Sequence, residues 1–173
     1  MMRLLARLRS DNRGVSAVEF AMIAPVLITF YFGLAELTQA MMVERRTNHA
    51  IAAVGDLVTQ TSSLTNAELD DIYTIAEAIM KPFPADGLQM RVTSVSQNGA
   101  GVKTVDWSDG DGMTPLLLAP TMPNGLVANN QSVVIAEISY TYESAVKFIV
   151  PDGITFTKTY YFRPRKSDKV TKT

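Results

Sequence analysis

Cysteine is absent from the 173 residues, which excludes disulfides, thiol catalysis and zinc–thiolate sites. Histidine occurs once, at His49. That rules out a two-histidine metal site and leaves little scope for a Ser-His-Asp triad. No catalytic residue, metal or cofactor is therefore expected. Lysine and arginine are missing from the whole stretch between Val15 and Glu44. No broad basic face is present elsewhere, which argues against nucleic acid as a partner. Internal repeats are lacking too.

Basic charge is concentrated at the start of the sequence. Arg3, Arg7, Arg9 and Arg13 stand against Asp11 alone, a net of +3, whereas the rest carries 12 basic and 16 acidic residues. An apolar run follows from Val15 to Leu34, twenty residues with one charge, Glu19. At ~1.5 Å per helical residue it spans ~30 Å, the hydrocarbon thickness of a bilayer. The arginines before it predict a cytoplasmic N-terminus, with the remainder on the far side. Pro25, inside the run, removes one helix hydrogen bond and predicts a kink. A cleaved secretory signal shares the basic start, with Ala35 and Ala40 as small residues for a peptidase. Its apolar region is normally shorter, and Glu19 near the beginning is out of character.

Beyond Glu36 the spacing of Ala40, Val43, Thr47, Ala50, Val54 and Leu57 marks an amphipathic stripe. The expected helix thus runs on from about Ser16 to about Gln60. Thr61 to Thr65 is a polar break. Thr65 with Glu68 has capping-box spacing and opens a second helix through Leu69, Ile72, Tyr73, Ala76 and Ile79-Met80. Lys81-Pro82-Phe83-Pro84 stops it. Strands are expected over Leu88–Ser96, with Val95 following a slip, and over Val102–Trp107 beyond the turn Asn98-Gly99-Ala100-Gly101. A long Pro- and Gly-rich loop covers about 108–130. Ser132–Glu143 reads as the strongest strand, with Val134, Ala136, Ile138, Tyr140 and Tyr142 on one side. An apolar connector, Ala145 to Val150, leads to a last strand through Ile154, Phe156, Thr159 and Tyr161 whose phase the pattern leaves open. The expected class is α+β: a long N-terminal transmembrane and amphipathic helix, a short helix and a small antiparallel sheet. The expected divisions are a leader at 1–14, a transmembrane helix at 15–35, its amphipathic continuation at 36–61, a head at 62–163 and a mobile polar tail at 164–173.

Glu19 asks for a reason. An acid at mid-bilayer costs roughly 2.5–3.5 kcal/mol on insertion scales. Near the interface it reaches water at little cost. The sharper reading pairs it with a cation, which no residue between Val15 and Glu44 supplies. Cutting after Gly14 would create an α-amine on Val15, and Glu19 of one subunit would attract the Val15 amine of its neighbour. At ~4 Å and an effective dielectric near 20 that attraction is about 4 kcal/mol before desolvation is subtracted.

Gly14 followed by an apolar helix with Glu19-Phe20 resembles a class III, prepilin-type signal. Arg13 to Ala21, Ala24-Pro25-Val26-Leu27 and Phe32-Gly33-Leu34-Ala35-Glu36 resemble the TadE/TadG-like family of minor pseudopilins of the tight-adherence (Flp) pilus. Glu137 to Tyr142 and Tyr161 to Arg165 resemble its later strands. The resemblance implies cleavage after Gly14 by a prepilin peptidase, Val15 as new N-terminus, and Glu19 with Phe20 acting in assembly or processing. It implies an inner-membrane protein with a cytoplasmic N-terminus and periplasmic head, open to incorporation in the fibre. Implied partners are the peptidase, other pseudopilins, the major Flp pilin, the inner-membrane Tad platform and membrane lipid. Major Flp pilins usually have Tyr where Phe20 stands and are much shorter, and TadG-type chains carry a large von Willebrand-like region. A TadE- or TadF-like subunit is the expectation, with an unprocessed single-pass anchored binding or adhesion module as the alternative.

Other features have plainer readings. Asp106, Asp109 and Asp111 with Gly110 and Gly112 fail the EF-hand pattern and read as a solvated turn. Glu44-Arg45-Arg46 could meet lipid headgroups or a neighbour but, lying outside the membrane in this orientation, reads as a solvated helix face, with His49 exposed on the same helix. Met41-Met42 reads as packing, Trp107 as a core anchor, and Tyr140, Tyr142, Tyr160 and Tyr161 as sheet packing. Glu36, near the outer interface, matches the family pattern, and snorkelling to water explains it equally well.

Overall fold

The computed structural model describes residues 14–144, 147 and 152–173. Two compact units are present, Met1–Gln39 and Ala40–Thr173. The first helix, α1, runs Val15–Thr59 and so belongs to both. It continues through Pro25. Its threonines return their hydroxyls to the backbone one turn earlier: Thr29 to Pro25 O at 2.9 Å, Thr38 to Leu34 O at 2.8 Å. In an apolar surrounding that satisfies groups which would otherwise lack partners. Glu36 is buried, at 6 % exposure, so of its two readings the one that takes it out to water does not hold.

The second unit begins with the outer half of α1. Val43, Thr47, Ala50, Ile51, Val54 and Val58 are buried there. They pack with β1 (Ser63–Leu64), α2 (Asn66–Met80) and the sheet in one core. The amphipathic stripe is therefore covered by the chain's own head. The stripe is wider than expected, taking in Ile51 and Val58 while Leu57 is only half-buried, as a helix flanked on two sides requires. Gly55 has a specific reason: a β-carbon there would collide with the ring of Phe162. Glycine in a helix interior costs about 1 kcal/mol relative to alanine, and the close approach of the ring accounts for its presence.

The capping box of α2 forms as the spacing predicts. Thr65 N–H donates to Glu68 Oε2 at 2.8 Å, and Glu68 N–H returns a bond to Thr65 Oγ1. The Thr65 N–H, and its hydroxyl at 2.9 Å, both donate to Glu68 Oε2 and hold that carboxyl below its ordinary range. Leu69, Ile72, Tyr73, Ala76 and Met80 are buried at helical spacing.

Four strands follow: β2 (Leu88–Gln97), β3 (Lys103–Asp111), β4 (Gln131–Tyr142) and β5 (Ile154–Phe162), in the antiparallel order β3-β2-β4-β5. The β2–β3 turn uses Asn98, whose Oδ1 accepts from the amides of Ala100 and Val102, and Gly101 at φ +80°. Leu88, Met90 and Val92 lie opposite Tyr140, Ile138 and Ala136, and all six belong to the helix-facing core. The slip read into β2 is not there. Val95 stays in register with Val133 and faces the opposite side of the sheet. With Val133, Ile135, Met122 and Val127 it forms a second core under the long loop. The irregularity lies between β2 and β3, where Asp106 is left without a partner as the pairing passes from Ser94–Trp107 to Val95–Val105. The phase of β5 is now fixed. Its even-numbered residues face α1: Lys158 bridges to Glu44 at 2.9 Å and Phe162 meets Gly55. Tyr140 and Tyr142 are buried, whereas Tyr160 and Tyr161 are exposed. Except for Lys147, the expected connector Ala145–Val150 lies outside the described residues.

The expected mobile tail is instead a strap. Thr171–Lys172 forms β6, parallel to β1. Val170 is fully buried, and its carbonyl accepts from Trp107 Nε1 at 2.8 Å. The aspartates expected in a solvated turn lie in β3 instead, and two of the three, Asp106 and Asp109, pair with Lys169 and Lys172 and hold the strap in place. Polar composition concealed this because the binding comes mostly from backbone groups and two lysines.

Tyr73 lies at the same junction. Its hydroxyl donates to the Asp109 carbonyl at 3.2 Å and lies 3.3 Å from Oδ1. Burial first, and Asp109 second, push its pKa far above the ordinary tyrosine value. Tyr140 is raised too, chiefly by burial. A folded phenol that keeps its proton while the unfolded one loses it makes the head progressively less stable as pH rises above about 10. Urea melts in detergent should show that loss. Tyr73→Phe should flatten the part due to this phenol, leaving the share of Tyr140, at a neutral-pH cost of about 1 kcal/mol.

Candidate processing and assembly segment

Residues 14–25 form the candidate site. Val15 begins α1, and Gly14 sits in a short 3-10 turn directly before it. Nothing lies within 4 Å of where a Gly14 β-carbon would be, so the bond after it borders on open space. The leader, residues 1–13, lies outside the described residues.

Val15 and Glu19 are four residues apart in α1, one turn along the same face. Glu19 is exposed, as are its neighbours Val18 and Phe20 at 61 % and 68 %. Exposed apolar side chains continue through Met22, Ile23, Val26, Leu27, Phe30 and Tyr31. In a water-soluble helix such a surface would be strongly unfavourable, at ~25 cal/mol per Å². The helix is long and apolar enough to cross a membrane, and the most apolar window is wholly unburied. One N-terminal apolar helix of this kind fits a single-pass membrane anchor. Glu19 is then a carboxylate in lipid-facing surroundings, and its own helix offers no cation before Arg45.

The remaining candidates fall elsewhere. Pro25 is exposed within the helix, and its carbonyl accepts from Thr29. His49 is exposed on the outer half of α1. Among the described residues no group of acids and histidines is placed to hold a metal ion. Sequence reasoning missed Gly55 and the strap. A lone glycine inside a strongly helical run was the available signal for the first, and the two lysines near the end of the sequence for the second.

Residues 14–56 match the family model described as TadE-like protein. The matched part holds the candidate site and nearly all of α1, ending three residues before Thr59. It is consistent with a TadE/TadG-like protein and points to a Tad pilus-related chain. No curated protein and no solved structure matches the sequence.

Proposed function

We propose, starting from this TadE-like N-terminal segment, that the chain is a TadE- or TadF-like minor pseudopilin that helps assemble a tight-adherence pilus. A prepilin peptidase cuts after Gly14, leaving the 159 residues Val15–Thr173. The helix anchors the product in the bacterial inner membrane, N-terminus inward and head in the periplasm. Its partners are other pseudopilins, the major Flp pilin and the inner-membrane Tad platform, and it performs no catalysis of its own. The observation that carries this reading is Glu19. An exposed carboxylate sits five residues past a glycine, on a lipid-facing helix that offers no cation before Arg45. A freed Val15 amine on a neighbouring subunit is the complement it lacks.

Intact-mass measurement of the protein from cells holding the cognate peptidase tests this. The expected mature species starts at Val15, and Gly14→Ala should shift nearly all of it to a form still bearing the leader. A wild-type species beginning at Met1 would overturn the proposal and leave an unprocessed membrane tether.

A further inference from the structure

Where the apolar surface of α1 ends, the side chains change character abruptly. Leu37, Met41 and Met42 are exposed at 58 %, 50 % and 42 %. One turn on stand Arg45 and Arg46, then His49, and Met42, Arg45, Arg46 and His49 line a shallow open depression. Leu37, Met41, Arg45 and His49 are successive i, i+4 positions, a single row along the helix.

The local charges leave these arginines available. Glu44, the adjacent acid, is turned to Lys158. Among the described residues no carboxylate pairs with Arg45 or Arg46. Arg46 donates through Nη1 to Ile79 O at 2.8 Å, which fixes the guanidinium and leaves its other N–H groups for an anion. Arg45 is exposed. An acidic protein surface would account for the cations but not for the bare leucine and methionines leading up to them. A phospholipid accounts for both: its acyl chains lie along Leu37, Met41 and Met42, and its phosphate meets the guanidinium groups. From Leu37 to Arg45 the helix rises ~12 Å, a span from upper acyl chain to headgroup. The stretch from Val15 to Met42 is ~42 Å, close to a bilayer with its headgroups.

We infer that Arg45 and Arg46, with Met42 and His49 beside them, form a binding site for the phosphate of a phospholipid headgroup, fixing how far the anchor sinks into the bilayer. This rests on α1 being a membrane anchor. Guanidinium forks suit phosphate oxygens, and each basic group near an anionic surface contributes about fivefold in affinity.

The test uses the full chain, purified in detergent with added phosphatidylglycerol and examined by native mass spectrometry for retained lipid. Retention should fall about fivefold in Arg45→Gln, which breaks no described hydrogen bond, and further in Arg45→Gln with Arg46→Gln. An uncharged galactolipid should be held equally weakly by all three, and millimolar inorganic phosphate should not displace the lipid. Unchanged retention in Arg45→Gln overturns the site, and displacement by inorganic phosphate overturns the lipid assignment. Flotation with phosphatidylcholine vesicles separates this from the anchor: wild type and variants should float alike. If wild type does not float, the anchor falls and this inference with it.

Discussion

Glu19→Ala is expected to insert in the membrane and be cut after Gly14, yet to yield few or no pili. Insertion should not suffer, because removing an acid from an apolar run lowers its transfer cost by roughly 2.5–3.5 kcal/mol at mid-bilayer. Assembly should suffer because the Val15 amine of each incoming subunit would then enter lipid with no counter-charge. The attraction lost is about 4 kcal/mol at ~4 Å and an effective dielectric near 20, part of which desolvation had already cancelled. The larger consequence is the uncompensated amine, since breaking a buried pair by removing one partner costs about 3–5 kcal/mol. That is more than a hundredfold in an association constant, enough to empty a sheared-pilus fraction on an immunoblot. Glu19→Gln separates charge from shape. It puts a hydrogen-bonding amide of nearly the same volume in place of the carboxylate, and it should fail as Glu19→Ala does. Glu19→Asp should be partly tolerated. Normal piliation in the Gln variant would sink the charge pair while leaving the family match untouched.

Ending the chain after Ser167 should destabilise the head by roughly 4–6 kcal/mol, a large share of a typical domain's 5–15 kcal/mol. The strap's removal uncovers the space filled by Val170, whose burial stabilises by about 1.5–3 kcal/mol. It strands Trp107 Nε1–H, which donates to Val170 O, and Ser132 Oγ, which donates to Asp168 O at 2.7 Å. Half-buried donors left unpaired cost about 1–3 kcal/mol each, less where water reaches them. The pairing of β6 with β1 and the lysine pairs to Asp106 and Asp109 go as well. Denaturant melts of the full chain against the shortened one measure the effect. Val170→Ala alone should lose about 2 kcal/mol. A shortened chain melting within 1 kcal/mol of wild type would show that the strap is dispensable.

What could be read from residues alone was what depends on period and local chemistry. The twenty apolar residues, the Thr65–Glu68 cap, the Asn98–Gly101 turn and the alternation from Val134 to Tyr142 each carry a local signature, and each element formed. Val95 was misread for an instructive reason. A residue out of phase with one core was taken as an irregular strand, when it belonged to a second core formed by Met122 and Val127 from a loop with no periodicity of its own. The strap was hidden because backbone bonds such as Thr171 N–H to Ser62 O leave no mark in side-chain composition. Glu36 stayed undecided: position near a membrane surface allowed snorkelling to water, and burial depends on packing that spacing does not encode. For the candidate site, Gly14, Val15 and Glu19 were visible as a motif, and the structure adds the exposure of all three, with Val15 and Glu19 on one helix face.

The docking of residues 164–173 bears on how reporters can be attached to this molecule. Anything fused before Gly14 would leave with the leader under the proposed cleavage, and anything fused after Thr173 must emerge beside a backbone already bonded to Leu64 O. The exposed turn Asn98–Gly101 touches neither end and closes its hairpin through Asn98 itself. An epitope or fluorophore acceptor between Gly99 and Ala100 accordingly reports on the head from a point clear of both ends, at the cost of the turn's own bonds to Asn98 and of the Asn129 bond to the Gly99 carbonyl.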